Sequence, residues 1–509
     1  MKLPESVLLL AMALAAPLPA QDDAAAPPGE DPEPQAVQTL ELTLVQAARF
    51  ALHNNLGVRL QDLAAEQAAY DYRGSWGDFE WDFTSTLSYA DSERPVSSSF
   101  LSGADVVKET RESLSLDFNR PLTTGGSFNV HFNTDTDETN SVIFNSDRLT
   151  SDLLTISYTQ PLRRGAWSRY ATSQQRENEV VWQLEIERQR ASRQTLIYDV
   201  AVAYWELVLA IEQRDVSASS LDLGLELLDK RQKELDAGVG TEVEVLQARA
   251  EVATRIETLL QNQNDVNQRM DVLKELLFDA KDEETWEQEI VPVTPLPEAE
   301  DVDVGDVPPW SQALLTATEM RTELRQHRLQ IDVARLRHQR TMSERLAGLD
   351  LDLSASSGQV DEKPGDALSD TLSWDFPRWT VALTYNMPIG NKRADYAERR
   401  ARTGVRSAVV EHDRQELTII SDVRMAVRDV AYRAEAVRAA EQSLALAERQ
   451  HEAEQLRLDE GLSTNIEVLE FQQDLIEAMS SQRRARAEYA KSRVALSMAQ
   501  GIIDQEPQP

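Results

Sequence analysis

The sequence predicts a mainly α-helical fold that carries a membrane β-barrel, built from two copies of one unit: helix, strands, a very long helix, a tight turn and another helix. Three observations predict it. One motif recurs at a fixed distance along the chain. Long stretches place apolar residues at steps of three and four, whereas other, shorter stretches alternate apolar with polar. No segment after the N-terminus approaches about 20 consecutive apolar residues, so a membrane could be crossed only by a closed barrel of strands.

The N-terminus stands apart from the repeated unit. Lys2 precedes an apolar stretch from Val7 to Ala16, and Pro17-Leu18-Pro19-Ala20 offers a small residue for cleavage before Gln21. Residues 1–20 therefore read as a signal peptide, although Leu18 fits the usual small-x-small pattern imperfectly. Residues 21–38, rich in Ala, Pro and acids, read as a flexible leader. The 509 residues carry a formal net charge of -35 and no cysteine. Such acidity argues against a nucleic-acid partner. A chain without thiols suits an oxidising compartment, and it has no N-terminal cysteine for a lipid anchor.

The repeat is explicit. Asp236-Ala-Gly238-Val239-Gly240-Thr241-Glu-Val-Glu244-Val245-Leu246 returns as Asp459-Glu-Gly461-Leu462-Ser463-Thr464-Asn-Ile-Glu467-Val468-Leu469, a shift of 223 residues. At the same shift Ile197, Asp199, Val200, Leu221 and Gln232 match Ile420, Asp422, Val423, Leu444 and Gln455. The first repeat takes in residues 39–309, with strands at about 80–160, a tip turn at 236–241 and a proline-rich equatorial segment at 282–309. The second takes in 310–503, with strands at about 349–387 and a tip turn at 459–464, and leaves a tail over 504–509.

Heptad seams such as Ile197, Val200, Tyr204, Leu207, Ile211 and Ile420, Val423, Val427, Val430, Ala434, Val437 ask for coiled-coil neighbours. An ordinary helical bundle would show the same pattern. Lengths add to it. Helices from Gly165 to Asp236 and from Ala394 to Glu460 would each run about 100 Å. The returning segments, from Thr241 and from Thr464, run only about 60 Å. Helices near Leu42–Ser75 and Ser311–Arg345 supply the missing length of about 50 Å each, so each unbroken helix is matched by two stacked ones.

Period-two segments lie at Trp81–Tyr89, Ser113–Arg120, Ser127–Thr134, Leu153–Gln160, Leu349–Ser356 and Thr380–Met387. Alternation with one apolar face suits a soluble sandwich or a lipid-facing barrel equally. Trp76, Trp81, Trp167, Trp374 and Trp379 sit near strand ends, where interfacial belts place them, though Trp is also a good strand residue. One chain has too few strands to close a pore, so several copies must pool them.

With these motifs in place the chain resembles the TolC-like outer-membrane factor family over essentially its whole mature length. The resemblance rests on the strand exits Ser157-Tyr158-Thr-Gln-Pro161 and Thr384-Tyr385-Asn-Met-Pro388, and on the paired turns Gly238-x-x-Thr241-x-x-Glu244 and Gly461-x-x-Thr464-x-x-Glu467. It implies a homotrimer whose periplasmic α-barrel tunnel continues into a twelve-stranded outer-membrane β-barrel. It also implies partners: outer-membrane lipid, a periplasmic adaptor (membrane fusion protein) and, through it, an inner-membrane transporter. One feature departs from the pattern. The first half holds four strand-like segments where two are usual, with the extra hairpin turning at Pro121–Gly126. Either that hairpin lies outside the pore-forming sheet or the trimer's barrel has eighteen strands.

No catalytic or cofactor constellation is present: six scattered histidines lack zinc spacing, and no Gly-rich phosphate loop occurs. The expected function is a passive export duct for a tripartite efflux pump or type I secretion system. The alternative is a non-conducting trimeric rod or adhesin. Glu467, Glu470 and Asp474 share one helix face after the second turn. Acids there complement a helix dipole in any protein. The resemblance makes Glu467, Glu470 and Glu244 a pore constriction, and makes Gly238, Val239, Gly240, Gly461, Leu462 and Ser463 the adaptor-docking tip. The family's tyrosine and arginine latch positions are Leu458 and Ser463 here, so packing by Leu458, Leu462 and Leu469 would have to replace that latch.

Overall fold

The computed structural model describes residues 39–505 apart from 96–104, 142–147, 280, 282, 303, 304, 306 and 461. The signal peptide, the leader and most of the tail therefore lie outside the described residues, as does Gly461. The chain opens with strand β1 (Thr39–Leu42) and helices α1 (Leu44–Asn54) and α2 (Leu56–Gly74). Strands β2 (Asp82–Pro95), β3 (Val106–Pro121), β4 (Ser127–Thr139) and β5 (Arg148–Pro161) follow. Helix α3 (Ser173–Asp236) runs to the first tip, and α4 (Glu242–Leu277) returns from it. After β6 (Glu289–Pro292) the unit repeats as α5 (Trp310–Met320), α6 (Thr322–Glu344), β7 (Gly348–Asp361), α7 (Pro364–Ser373), β8 (Pro377–Asn386), α8 (Lys392–Asp459) and α9 (Asn465–Gln500).

The stacked arrangement is present, with α3 shorter than expected and α8 at its expected length. Helix α3 begins at Ser173 rather than Gly165, so its 64 residues span about 95 Å and the 68 of α8 about 100 Å. Each proximal helix is also broken in two. Asn55 and Arg321 leave the helix for an extended conformation at ψ 124° and 122°. Each then serves the end of the helix stacked beneath it: Asn55 donates to Leu276 O and Arg321 to Met498 O, both at 3.1 Å. A side chain at the break thus reaches a carbonyl in the last turn of the stacked helix in both repeats.

The helices form one layer. Helix α3 lies between α2 and α4 on one side and α6 and α9 on the other, and α8 packs against α6 and α9 at the far edge. The largest core gathers Leu44, Tyr204, Leu207, Leu273, Leu277 and Ile290 around the middle of α3, where β1 pairs in parallel with β6. Tyr204 binds both segments, donating to Leu42 O at 3.0 Å and accepting from Thr294 N at 2.9 Å. The most apolar window of α3 is 67% buried there, a core stretch rather than a membrane span.

All six strands belong to one antiparallel sheet in the order β2-β3-β4-β5-β7-β8. The extra hairpin is therefore part of the sheet and not an appendage to it. Register makes the two faces distinct. Phe83, Phe118, Val130, Ile156, Ala355 and Trp379 form one continuous row across the six strands. The next row, on the opposite face, is Thr84, Asp117, His131, Thr155, Ser356 and Arg378. The strands run 10 to 16 residues, mostly longer than the expected segments, because their outer ends continue as polar β-structure. The hairpin turn at Gly125 has φ +87°, and a Cβ there would sit 2.4 Å from Gly165 O, so only glycine fits.

Candidate tip gate and docking turns

Both tips are built by one local code. Thr241 caps α4 and Thr464 caps α9, and in each the glutamate three residues on closes a capping box. Glu244 Oε2 accepts from Thr241 N at 2.8 Å and from its hydroxyl at 2.9 Å. Glu467 Oε2 accepts from Thr464 N at 2.9 Å, the Thr464 hydroxyl at 3.1 Å and the Ser463 hydroxyl at 2.9 Å. The backbone N–H of Thr464, with those hydroxyls, holds the Glu467 carboxyl below its ordinary range; the Thr241 N–H does the same for Glu244. Two of the three acids singled out from the sequence thus have a structural task, helix capping. The task leaves their charge in place, since every partner donates to an ionised carboxylate. Glu470, one turn on, is exposed on the same face as Glu467, with Asp474 beyond it.

The turns carry exposed apolar residues at their apices. Gly238 has φ +77°, and Val239 N and Gly240 N both donate to Glu234 O at 3.0 Å. A Cβ on Gly240 would lie 3.0 Å from Leu235 N, so this glycine permits a close backbone approach. Val239 is 80% exposed and Leu462, its repeat partner, 66%. Leu462 is therefore unpacked within the chain. Polar contacts fix the turn beside it. The single Ser463 hydroxyl proton is shared between Glu467 and the buried carboxylate of Glu454, which also pairs with Arg457 at 3.0 Å. Leu458, Val468 and Gln472 line a small cavity facing Leu223 and Leu227 of α3.

A contact missed in the sequence joins the two tip hairpins. Arg255 of α4, 5% exposed, donates to Ser220 O of α3 at 2.6 Å and to Gln472 Oε1 of α9 at 3.2 Å. Its Nε donates to Glu251 at 2.9 Å. Gly224 in the interior of α3 makes room: a Cβ there would lie 3.1 Å from Arg255 Cδ. The repeat equivalents are Ala447 and Ala478, so this clasp belongs to the first hairpin alone. A glycine inside a heptad helix, opposite an arginine at an apolar-stripe position, was the available signal.

The architecture above, two tip hairpins under a single sheet, has counterparts. The family model described as outer membrane efflux protein matches residues 127–277 and 314–501, roughly two-thirds of the chain. The chain belongs to the outer membrane efflux protein family. It is thus an outer-membrane channel extending into the periplasm, not an enzyme. Solved structures share the fold. The Campylobacter jejuni CmeC outer membrane channel aligns at TM-score 0.68 and 16% identity, over 91% of this chain and 87% of that one. The outer membrane protein VceC from Vibrio cholerae gives 0.65 and 15%, over 90% and 96%. The open state of the Neisseria gonorrhoeae MtrE channel gives 0.63 and 14%, over 90% and 88%. No curated protein matches the chain.

Proposed function

We propose that three copies of this efflux-family chain close into one passive export duct, serving a tripartite efflux pump or a type I secretion system. The observation that carries the reading is a helical layer with two unpartnered apolar edges. On α2, Leu56, Leu60, Leu63 and Tyr70 are exposed at heptad spacing. On α8, at the opposite edge of the layer, Val410, Leu417, Met425 and Tyr432 repeat at steps of seven and eight. Stripes of this kind need a partner helix, and a layer bearing one on each edge is completed by copies of itself.

In this assembly residues 1–20 direct secretion, 21–38 lead into the duct, and repeats 39–309 and 310–503 supply the wall. Glu467 and Glu470, with Glu244 beside them, form an acidic constriction, drawing cations by field strength. Val239 and Leu462, carried on Gly238, Gly240, Gly461 and Ser463, dock a periplasmic adaptor and through it an inner-membrane transporter. Each apex presents one apolar residue for a groove between partner helices. The test is the purified protein in a planar bilayer. A trimeric mass together with cation-selective current, shifted toward neutrality by Glu467→Gln with Glu470→Gln, is expected. An unchanged reversal potential would remove those two residues from the pore.

A further inference from the structure

We infer that the trimer's outer-membrane barrel has eighteen strands, closed where β8 of one copy pairs with β2 of the next, so that all six strands of each chain, β2 and β3 included, are channel wall. The inference rests on the trimeric reading above and adds which edges meet. Four observations carry it.

First, β2 and β3 continue the sheet without a break, paired along their whole length from Asp82↔Asn119 to Pro95↔Val106. Second, they carry both faces in register with the other strands. Phe83 and Phe118 extend the apolar row that ends at Trp379, and Thr84 and Asp117 extend the polar row behind it. A hairpin lying outside a barrel on its aqueous rim has no use for an apolar face, whereas a lipid-facing wall requires one. Phe83, Leu87 and Tyr89 of β2 are 54%, 80% and 67% exposed, and Trp379, Val381 and Leu383 of β8 are 77%, 59% and 63% exposed, so neither edge is covered within the chain.

Third, the sheet ends where the helical layer ends. Strand β2 follows α2 and strand β8 precedes α8, and α2 and α8 are the helices bearing the unpartnered stripes. A neighbour that seats α8 against α2 brings β8 to β2 by the same rotation. The sheet is antiparallel with an even number of strands, so β2 and β8 run in opposite directions, and their pairing keeps the barrel antiparallel throughout. An open edge left in lipid would strand backbone N–H and C=O groups at several kcal/mol each.

Fourth, the perimeters agree. With strands about 4.8 Å apart and tilted about 40°, about 18 strands enclose a backbone cylinder about 36 Å across, against about 24 Å for about 12 at the same tilt. Three four-helix-wide layers at interaxial distances of about 8–10 Å close at about 30–38 Å. The wider barrel therefore sits flush on the helical tunnel.

The absence of native cysteine makes the test clean. Single cysteines at Thr84, Thr86 or Ser88 of β2 are combined with single cysteines at Thr380, Ala382 or Thr384 of β8, all on the polar face, and the full-length protein is oxidised in membranes. Covalent ladders up to the trimer are expected for at least one combination. A control set replaces the β2 positions with Asn129, His131 or Asn133 of β4, and a Leu60→Cys, Val410→Cys pair reports the helical edge. Cross-linking from β4 but not β2 overturns the eighteen-strand barrel and leaves the duct standing. No cross-link at either the strand or the helical edges, with a monomeric mass, overturns the trimeric duct itself. Where a variant fails to assemble, electron cryomicroscopy of the wild-type trimer in nanodiscs counts the strands directly: eighteen supports the inference and twelve refutes it.

Discussion

Replacing Arg255 by methionine should loosen the tip, by an amount the geometry allows to be worked out. Methionine keeps most of the buried stem and removes the guanidinium. Of its three bonds, the one to Glu251 stays within α4 and joins nothing. The bond to Ser220 O holds α4 on α3, inside the first hairpin. Only the bond to Gln472 ties that hairpin to α9 of the second. A buried hydrogen bond from a charged donor is worth about 1.5–3 kcal/mol, and Gln472, itself 3% exposed, would be left with an unpartnered oxygen. If opening separates α4 from α9, a loss of about 2 kcal/mol raises the separated population about 30-fold. The assay is single-channel recording on the purified protein: Arg255→Met should open spontaneously far more often, with unit conductance in the open state unchanged. Adding Gly224→Ala should recover about 1 kcal/mol of helix stability without restoring closure, since the second repeat carries Ala447 and Ala478 at the equivalent positions. Openings as rare as the wild type's would refute the reasoning. So would an equal effect from Glu251→Gln.

Further expectations follow from the same geometry. Thr464→Val removes the cap of α9 and should cost about 1 kcal/mol, read as faster amide exchange over residues 465–470 with little change in α3; uniform exchange would argue against a local cap. The depressed carboxyls of Glu244 and Glu467 contribute stability that is fully present above their unfolded value near 4.5 and is lost as pH falls through the lower folded values. Tip protection measured by exchange should therefore decline only in strong acid, and a loss already at pH 6 would contradict the capping account. Val239→Asp with Leu462→Asp should abolish adaptor capture while bilayer conductance persists; retained capture would move the docking surface elsewhere. Val381→Arg, on the apolar face, should prevent membrane assembly at a cost of about 2–4 kcal/mol, whereas Thr380→Arg on the polar face should assemble. Equal tolerance of both would mean the two faces are wrongly assigned.

Much of this architecture was legible in the sequence because periodicity is set by which face is buried. The repeat, the two long helices and all six strands could be read from apolar spacing. Strand ends could not: residues such as Asp91–Pro95 and Thr134–Thr139 alternate no apolar side chains, and they are held by backbone pairing and by cross-strand ion pairs such as Lys108–Glu93 and Arg111–Asp137. Helix α7 lay hidden in a polar loop, and the β1–β6 pair is too short to show a period. The breaks at Asn55 and Arg321 serve carbonyls at the ends of distant helices, which no local pattern encodes. At the tip, the Thr-x-x-Glu boxes were visible, yet the use of Glu244 and Glu467 as caps competes in sequence with their use as pore acids. The helical segment around Arg255 reads as surface until Gly224 is placed beneath it.

The measurement that bears most directly on the central claim is ion flow through the purified, membrane-inserted protein. The account predicts a trimer that inserts and passes cation-selective current, with selectivity falling when Glu467 and Glu470 are neutralised and openings multiplying when Arg255 is replaced. A trimer that inserts yet carries no current, even with Glu467→Ala, Glu470→Ala and Arg255→Met combined, would instead be a non-conducting envelope rod.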